Sequence, residues 1–359
     1  MIPCYNGENV IKKCFDSIVS QIDSRIEVII INNGSQDNTK RVVSRLVRGK
    51  KNFKFISLRN NVGVSGARNY GLDRSNGQYV MLCDCDDQIP ANSIEKIIAV
   101  VSETDADIIA GNYEEYKGSF LSKRTQIEKR INKYESLMDG HAVWNKVYKK
   151  EMLDRYNIRF KNYNYGEDTL FLAESIQYAK NIELISDVIY RRVVSQEGYG
   201  QLTRTFSLGG LHEYVESGID TYSIKYDEFP DSSVHKIHIE SIRFVFRYYW
   251  MHLTPLEKEK GFEDIKRFVT IHEWDDDELS TLNEIFGVDY DTLKSIGVVD
   301  YVVKYLCNNN LTQLSNMVLD SYNIHEAMIN ALLKGEVSME NIIKYNGAWI
   351  IGKTKNRRK

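Results

Sequence analysis

Residues 79–87 read Tyr-Val-Met-Leu-Cys-Asp-Cys-Asp-Asp, an apolar run that stops abruptly on carboxylates. Tyr79 to Cys83 has the length of a buried strand, too short for a helix. Pro90 follows, and from about Ala91 to Ser102 the apolar positions recur at helical spacing. The order strand, polar turn, helix extends upstream. Ile26 to Ile31 reads as a buried strand ended by Asn32-Asn33-Gly34-Ser35, and Phe53 to Leu58 as another, followed by the polar stretch Asn60 to Arg68. Ala106 to Tyr113 supplies a fourth strand, while Ile11, Cys14, Phe15, Ile18 and Val19 fall on one face of a helix ahead of them all. Alternation of this kind predicts an α/β fold with a mostly parallel sheet and helices on both faces. Met1-Ile2 precede Pro3-Cys4-Tyr5-Asn6 with almost no apolar run, so the first strand is expected to be very short, or the chain to be cut or mis-started there. From about Ser207 the pattern turns helical and aromatic, which predicts a domain over 1–206 and a mostly helical one over 207–359.

In an open α/β sheet, ligands bind beyond the carboxyl ends of the strands. Three polar loops, Asn32 to Asp37, Asn60 to Arg68 and Asp84 to Asp87, fall there and can converge on one ligand. Carboxylates on the short turn at Asp84 and Asp86 are hard oxygen donors that suit Mn2+ or Mg2+, although an acidic turn also reads simply as a solvated loop or helix cap. Between Asn61 and Gly71, glycines permit close backbone approach and Arg68 can contact a phosphate bidentately. Gly63 and Gly66 do not fit the dinucleotide fingerprint, and the plainer reading is a turn and a helix with a surface-paired Arg. Gly166-Glu167-Asp168 opens another helical stretch; the acids cap its dipole, or one of them serves as general base.

Composition narrows the class. With 42% apolar and 27% charged residues the chain is globular, and a net charge of −3 gives no general attraction for nucleic acid. Five scattered cysteines, an odd number, argue for a reducing compartment, hence the cytoplasm. No stretch approaches the roughly 20 apolar residues of a membrane span.

Taken together, the motifs over Ile2 to Thr205 resemble family 2 inverting glycosyltransferases of the GT-A, Rossmann-like fold. Pro3-Cys4-Tyr5-Asn6-Gly7-Glu8 is similar to the family's opening P-x-Y-N-x-E, Asn33 to Asp37 to its D-G-S-x-D turn, and Asn61 to Gly71 to its N-x-G-x-S-x-A-R-N-x-G stretch. Asp84 to Asp87 resembles D-x-D-D, while Trp144 to Tyr148 and Gly166 to Phe171 resemble the acceptor-side elements. The resemblance implies a UDP-sugar donor and a glycan, glycolipid or glycoprotein acceptor, with hexosyl or N-acetylhexosaminyl transfer in bacterial surface polysaccharide or glycoprotein assembly. It places Pro3, Tyr5, Glu8 and Asn33 around the base, Ser65 and Arg68 at the nucleotide, and Asp84, with Cys85 beside it, at the ribose or metal shell. Asp86 and Asp84 would hold the metal, Asp168 within Glu167-Asp168 would be the base, and Trp144 and Lys146 would lie on the acceptor side. Asn33 stands where the family carries an acid, so its amide oxygen would accept from uracil. Gln201 to Thr205 lacks the Trp of the processive Q-x-x-R-W motif, which favours transfer of one sugar at a time. Arg191 to Arg204 offers no histidine as a further metal ligand.

Two rival readings stand beside this one: a nucleotidyltransferase that makes sugar nucleotides, and a non-catalytic nucleotide-sugar or scaffold module. Weaker signals are given structural readings. Gly347 to Thr354 spells a phosphate loop, yet only five residues follow where a helix is needed. Phe244, Phe246, Tyr248, Tyr249 and Trp250 read as core aromatics. The basic tail Lys353 to Lys359 reads first as a solvated terminus, then as a peripheral contact with the inner membrane face. His141, His212, His235 and His238 form no compact ligand set in the sequence, and no metal is assigned to them.

Overall fold

The computed structural model describes residues 1–125, 137–138, 141–194, 207–225, 231–249, 253, 255–286 and 290–295. The chain clusters into two compact units, one reaching Arg204 and one beginning at Thr205, with Tyr226–Phe229 counted in the first.

The first unit opens with β1 (Ile2–Cys4), α1 (Ile11–Val19), β2 (Val28–Asn33), α2 (Thr39–Leu46), β3 (Phe53–Leu58) and α3 (Gly63–Leu72). The three strands are parallel in the order β1-β2-β3. Val28 to Ile31 of β2 form an apolar run, as expected of a strand buried on both faces. Val28 and Ile30 pack with Ile11, Phe15 and Ile18 of α1 and Val43 of α2, whereas Ile29 and Ile31 pack with Ala67 of α3. Burying one such side chain contributes about 1.5–3 kcal/mol, so β2 clamps helices on both sides.

β1 is only three residues long, and all three are buried. It is continued by Met1, whose nitrogen donates to Met81 O at 2.9 Å while Cys83 N donates to Met1 O at 3.0 Å. Those bonds set β4 (Tyr79–Met81) beside the start of β1, and the acidic turn therefore lies next to the loop that follows β1. After α4 (Ser93–Glu103) come β5 (Ile108–Lys117), β6 (Phe120–Arg124), β7 (Lys146–Lys149), α5 (Lys150–Arg155), α6 (Glu167–Tyr178) and β8 (Ile182–Val194). β7 runs antiparallel between β4 and β5, and β8 pairs parallel with β5. The sheet is thus more mixed than the alternating pattern suggests. Ile97 of α4, Ile109, Val147, Ile185 and Ile189 pack together across these strands.

The described part of the second unit is helical: α7 (Leu208–Tyr222), α8 (Asp231–Phe244) running into a π-helical turn at Val245–Tyr249, α9 (Pro255–Val269), α10 (Asp276–Phe286) and α11 (Tyr290–Ser295). The Ser207 hydroxyl caps α7 by accepting from Gly210 N at 3.1 Å. His238 is fully buried, stacked on Tyr222 with centroids 4.3 Å apart and packed against Phe268 and Trp274. Tyr249 is buried and Phe246 meets Phe286 edge-on, in keeping with a core role, whereas Phe244 is partly exposed. The side chain of Tyr248, and Trp250, Gln201 to Thr205, Gly347 to Thr354 and the basic tail all lie outside the described residues. Among the described residues no helix is long and apolar enough to cross a membrane.

Candidate active site

The loops after β1 and β2 are bonded to each other backbone to side chain. Asn6 N donates to Ser35 Oγ at 2.9 Å, Gly7 N to Thr39 Oγ1 at 2.7 Å and Glu8 N to Asp37 Oδ2 at 3.1 Å. Glu8 returns the contact by accepting from Asn38 N at 2.9 Å. Burial works against the Asp37 charge, yet bonds from the Thr39 hydroxyl and the Thr39 and Glu8 amides hold its carboxyl below the usual range. Glu8, expected near the base, thus braces the loop pair, and Tyr5 is the large exposed side chain on it.

Asn33 is buried and spends its amide on the next loop. Nδ2 donates to Asn61 Oδ1 at 2.9 Å and Gly63 O at 3.0 Å, and Oδ1 accepts from Val62 N at 3.0 Å. The oxygen expected to face uracil is engaged in fixing the Asn61–Gly63 turn. Gly34 beside it sits at φ +68°, and a Cβ there would lie 2.3 Å from the Asn60 backbone. Ser65, expected at the nucleotide, is buried and donates to Tyr163 O at 2.9 Å. Asn69 also ties α3 to the segment before α6, bonding Phe160 O at 2.7 Å and Phe160 N at 2.9 Å.

These braces deliver Arg68, only 3% exposed, to the junction of three carboxylates. Nη1 contacts Glu167 Oε1 at 3.0 Å and Asp168 Oδ1 at 2.5 Å, and Nη2 reaches Asp84 Oδ1 at 3.3 Å. The guanidinium also lies 5.0 Å from the Phe160 ring centroid. Acids from the β4 turn and from the first turn of α6 are therefore brought to one place. Arg68, expected to meet phosphate, is here the bridge between them. Burial, then the Asp168 charge, pushes the Glu167 carboxyl well above its ordinary range. Burial raises Asp168 as well, opposed by Arg68 and by a hydrogen bond from Glu167. Arg68 lies nearer Asp168 than Glu167, which favours Asp168 as the charged member of the pair.

Asp87, which the sequence did not single out, anchors the acidic turn. Val193 N and the Tyr190 hydroxyl each donate to it at 2.7 Å, and Asp84 N donates to Tyr190 Oη at 3.1 Å. Burial, followed by the Asp84 and Asp86 charges, pushes Asp87 up to about 8. That leaves Asp84 and Asp86, both partly exposed, as the remaining carboxylates of the turn, a donor set chemically suited to Mn2+ or Mg2+. The Cys85 thiol turns inward toward Cys4, and the hydrogen bond with it, then burial, push that thiol well above its ordinary range. A donor contact from the Cys85 side chain is not what this geometry shows.

Trp144 and Lys146, expected on the acceptor side, lie inside. Trp144 stacks on Tyr190 at 4.3 Å and is 8% exposed. Lys146, 1% exposed, donates to Ala142 O at 2.6 Å and Asn145 Oδ1 at 3.0 Å, and burial lowers it to about 7 although Asp168 pulls the other way. Two positions along β7, the buried Tyr148 hydroxyl has no hydrogen-bond partner, and the Asp168 and Arg68 charges both act on it. Tyr190 could have been noted from the sequence as a polar tip closing the apolar Val188-Ile189.

His212 does join a compact group, with Glu216 and Asp264, whose potential ligand atoms lie within 4.8 Å of one another. Arg267 already pairs with both acids, at 2.6 and 3.5 Å, which accounts for the cluster without a metal ion.

Residues 1–161 match the family described as Glycosyl transferase family 2. The glycosyltransferase GlyA of Streptococcus pneumoniae is 26% identical over 60% of this chain, a match that spans 33% of GlyA. The chain therefore corresponds to about a third of that relative's length. The crystal structure of Staphylococcus aureus TarS residues 1–349 in complex with UDP superposes with a TM-score of 0.60 at 17% identity, over 90% of this chain and 91% of that one. The mannosyltransferase PcManGT of Pyrobaculum calidifontis, in complex with GDP-Man and Mn2+, gives 0.50 at 15% identity, over 86% and 85%. These two likenesses establish the GT-A fold.

Proposed function

We propose that this chain, whose residues 1–161 match the family described as Glycosyl transferase family 2, transfers one sugar at a time from a UDP-sugar to a glycan, glycolipid or glycoprotein hydroxyl, inverting the anomeric centre. The observation that carries this reading is the Arg68 junction, at which Asp84 and Asp168, from two different segments of the chain, meet around one guanidinium. The donor diphosphate lies over the Asp84–Asp87 turn, at the carboxyl end of β4. Asp84 and Asp86 would hold Mn2+ or Mg2+, which when bound neutralises charge on the departing nucleoside diphosphate. Asp168 accepts the proton of the incoming hydroxyl, and Glu167, keeping its own proton, orients Asp168 through their hydrogen bond. Arg68 fixes the Asp168 carboxylate and links its position to the turn that receives the donor.

UDP release from a panel of nucleotide sugars, with Mn2+ and with EDTA, tests the reading. Release of UDP that depends on both an acceptor and the metal is expected. Release of pyrophosphate from a nucleoside triphosphate would assign the sheet to nucleotidyl transfer, and UDP binding without turnover would make it a binding module.

A further inference from the structure

The β5–β6 hairpin carries a feature that donor chemistry does not use. Its turn is Lys117-Gly118-Ser119-Phe120, with Gly118 at φ +64° as the first of two loop residues. Phe120 is 72% exposed and Leu121 41%, so two consecutive apolar side chains stand, one on each face, at the turn end of the hairpin. Lys117 pairs across the turn with Phe120, and Lys123 and Arg124 follow on the returning strand, all three exposed. No acidic residue occurs between Glu115 and Glu128.

The acids at the base of the hairpin are engaged. Glu115 meets Arg192 at 2.8 Å, and Glu114 meets Arg191 at 3.4 Å and Arg124 at 3.5 Å, all with the acids mostly buried. The ribbon is also braced: Ser122 Oγ donates to Glu115 O and Oε1 at 3.0 Å, and Arg191 lies 4.7 Å from the Tyr116 ring centroid. The hairpin therefore presents exposed apolar residues at its turn with Lys117 beside them and Lys123, 5.7 Å from the Tyr113 ring centroid, further along the strand, in a chain whose net charge is −3.

We infer that the Phe120–Leu121 tip docks on an anionic lipid bilayer, its two apolar side chains entering the headgroup region while Lys117 and Lys123 meet lipid phosphates. Apolar insertion combined with basic attraction is the pairing that holds proteins at such surfaces. A soluble polyanion would reward the lysines and leave Phe120 without a role. The edge of β6, carrying Lys123 and Arg124, is poorly suited to pairing with a second copy.

Co-sedimentation of the full chain with phosphatidylglycerol vesicles, and with pure phosphatidylcholine vesicles, is the test; it needs no nucleotide sugar, so its outcome is read separately from transfer activity. Binding to the anionic vesicles, weakened by salt, is expected. Replacing both lysines (K117Q with K123Q) lowers the partition coefficient about 30-fold, from about 1 kcal/mol per cation near an anionic surface. The pair F120S with L121S lowers it at least tenfold, with circular dichroism and melting temperature unchanged. Absence of binding to phosphatidylglycerol vesicles, or equal binding by these variants, overturns the inference. So does binding to soluble polyphosphate that matches vesicle binding and ignores Phe120, or a concentration-dependent doubling of mass that F120S with L121S abolishes.

Discussion

Arg68 has a side chain with five donors and three carboxylates to satisfy, which makes its replacement the most informative single change in the first unit. Arg68→Met would leave Glu167 and Asp168 without their cation in a largely buried setting. Breaking one partner of a buried pair costs about 3–5 kcal/mol, and a loss toward the lower end is expected here because Asp84 and Asp168 are partly exposed; urea unfolding measures it. Asp168, raised by burial, must be ionised to act as base, so turnover falls as pH drops, with a midpoint above the ordinary aspartate range. A pH–rate profile checks that. The sequence suggested Arg68 for a phosphate, and the structure shows its guanidinium against three carboxylates. Its carboxylate partners on α6 lie 99 and 100 residues away, a separation at which no spacing rule operates. Asn33 and Ser65 illustrate the same limit: a motif gives a polar residue type, and only the fold shows that both are spent holding neighbouring loops.

The elements were most legible where apolar periodicity was strong. α1 covers Ile11–Val19, the span its apolar spacing predicts, and β3 covers Phe53–Leu58. β7 escaped notice because it is four residues long and begins at a lysine, and β8 because Arg191 and Arg192 interrupt its apolar alternation. Neither lysine nor arginine reads as interior until its partners are known. Gly34 tests the loop architecture at this level. Gly34→Ala puts a methyl group against the Asn60 backbone at a left-handed φ, so a loss of more than about 1 kcal/mol in chemical denaturation is expected. In the second unit, burial and then the nearby His272 and His235 hold His238 on α8 well below the usual histidine range. A base with a depressed folded pKa contributes stability that is full above its unfolded value, near 6.5, and declines as pH falls below it. The urea midpoint of this unit should therefore drop between about pH 7 and 5, and His238→Phe should flatten that dependence.

At the scale of the molecule, the chain couples a GT-A sheet to a helical unit whose chemistry is not written in its pattern. Two arrangements follow from the backbone: the loops after β1, β2 and β4 come together because Met1 bonds β4 beside the start of β1, and Asp168 joins Asp84 because α3 is stapled to the segment ahead of α6. UDP with Mn2+ at about 100 times its dissociation constant should stabilise the protein by about 2.7 kcal/mol. Asp86→Ala is expected to lose the metal-dependent share of that gain in a thermal-shift titration. The most direct measurement compares UDP affinity and UDP-release turnover for the wild type and Asp168→Asn. A carboxylate that faces the donor cleft and removes the acceptor proton requires turnover to fall by about 10²–10⁴-fold while UDP affinity stays within a few-fold. Wild-type turnover in Asp168→Asn would show that the acids gathered by Arg68 are a structural knot with no part in transfer.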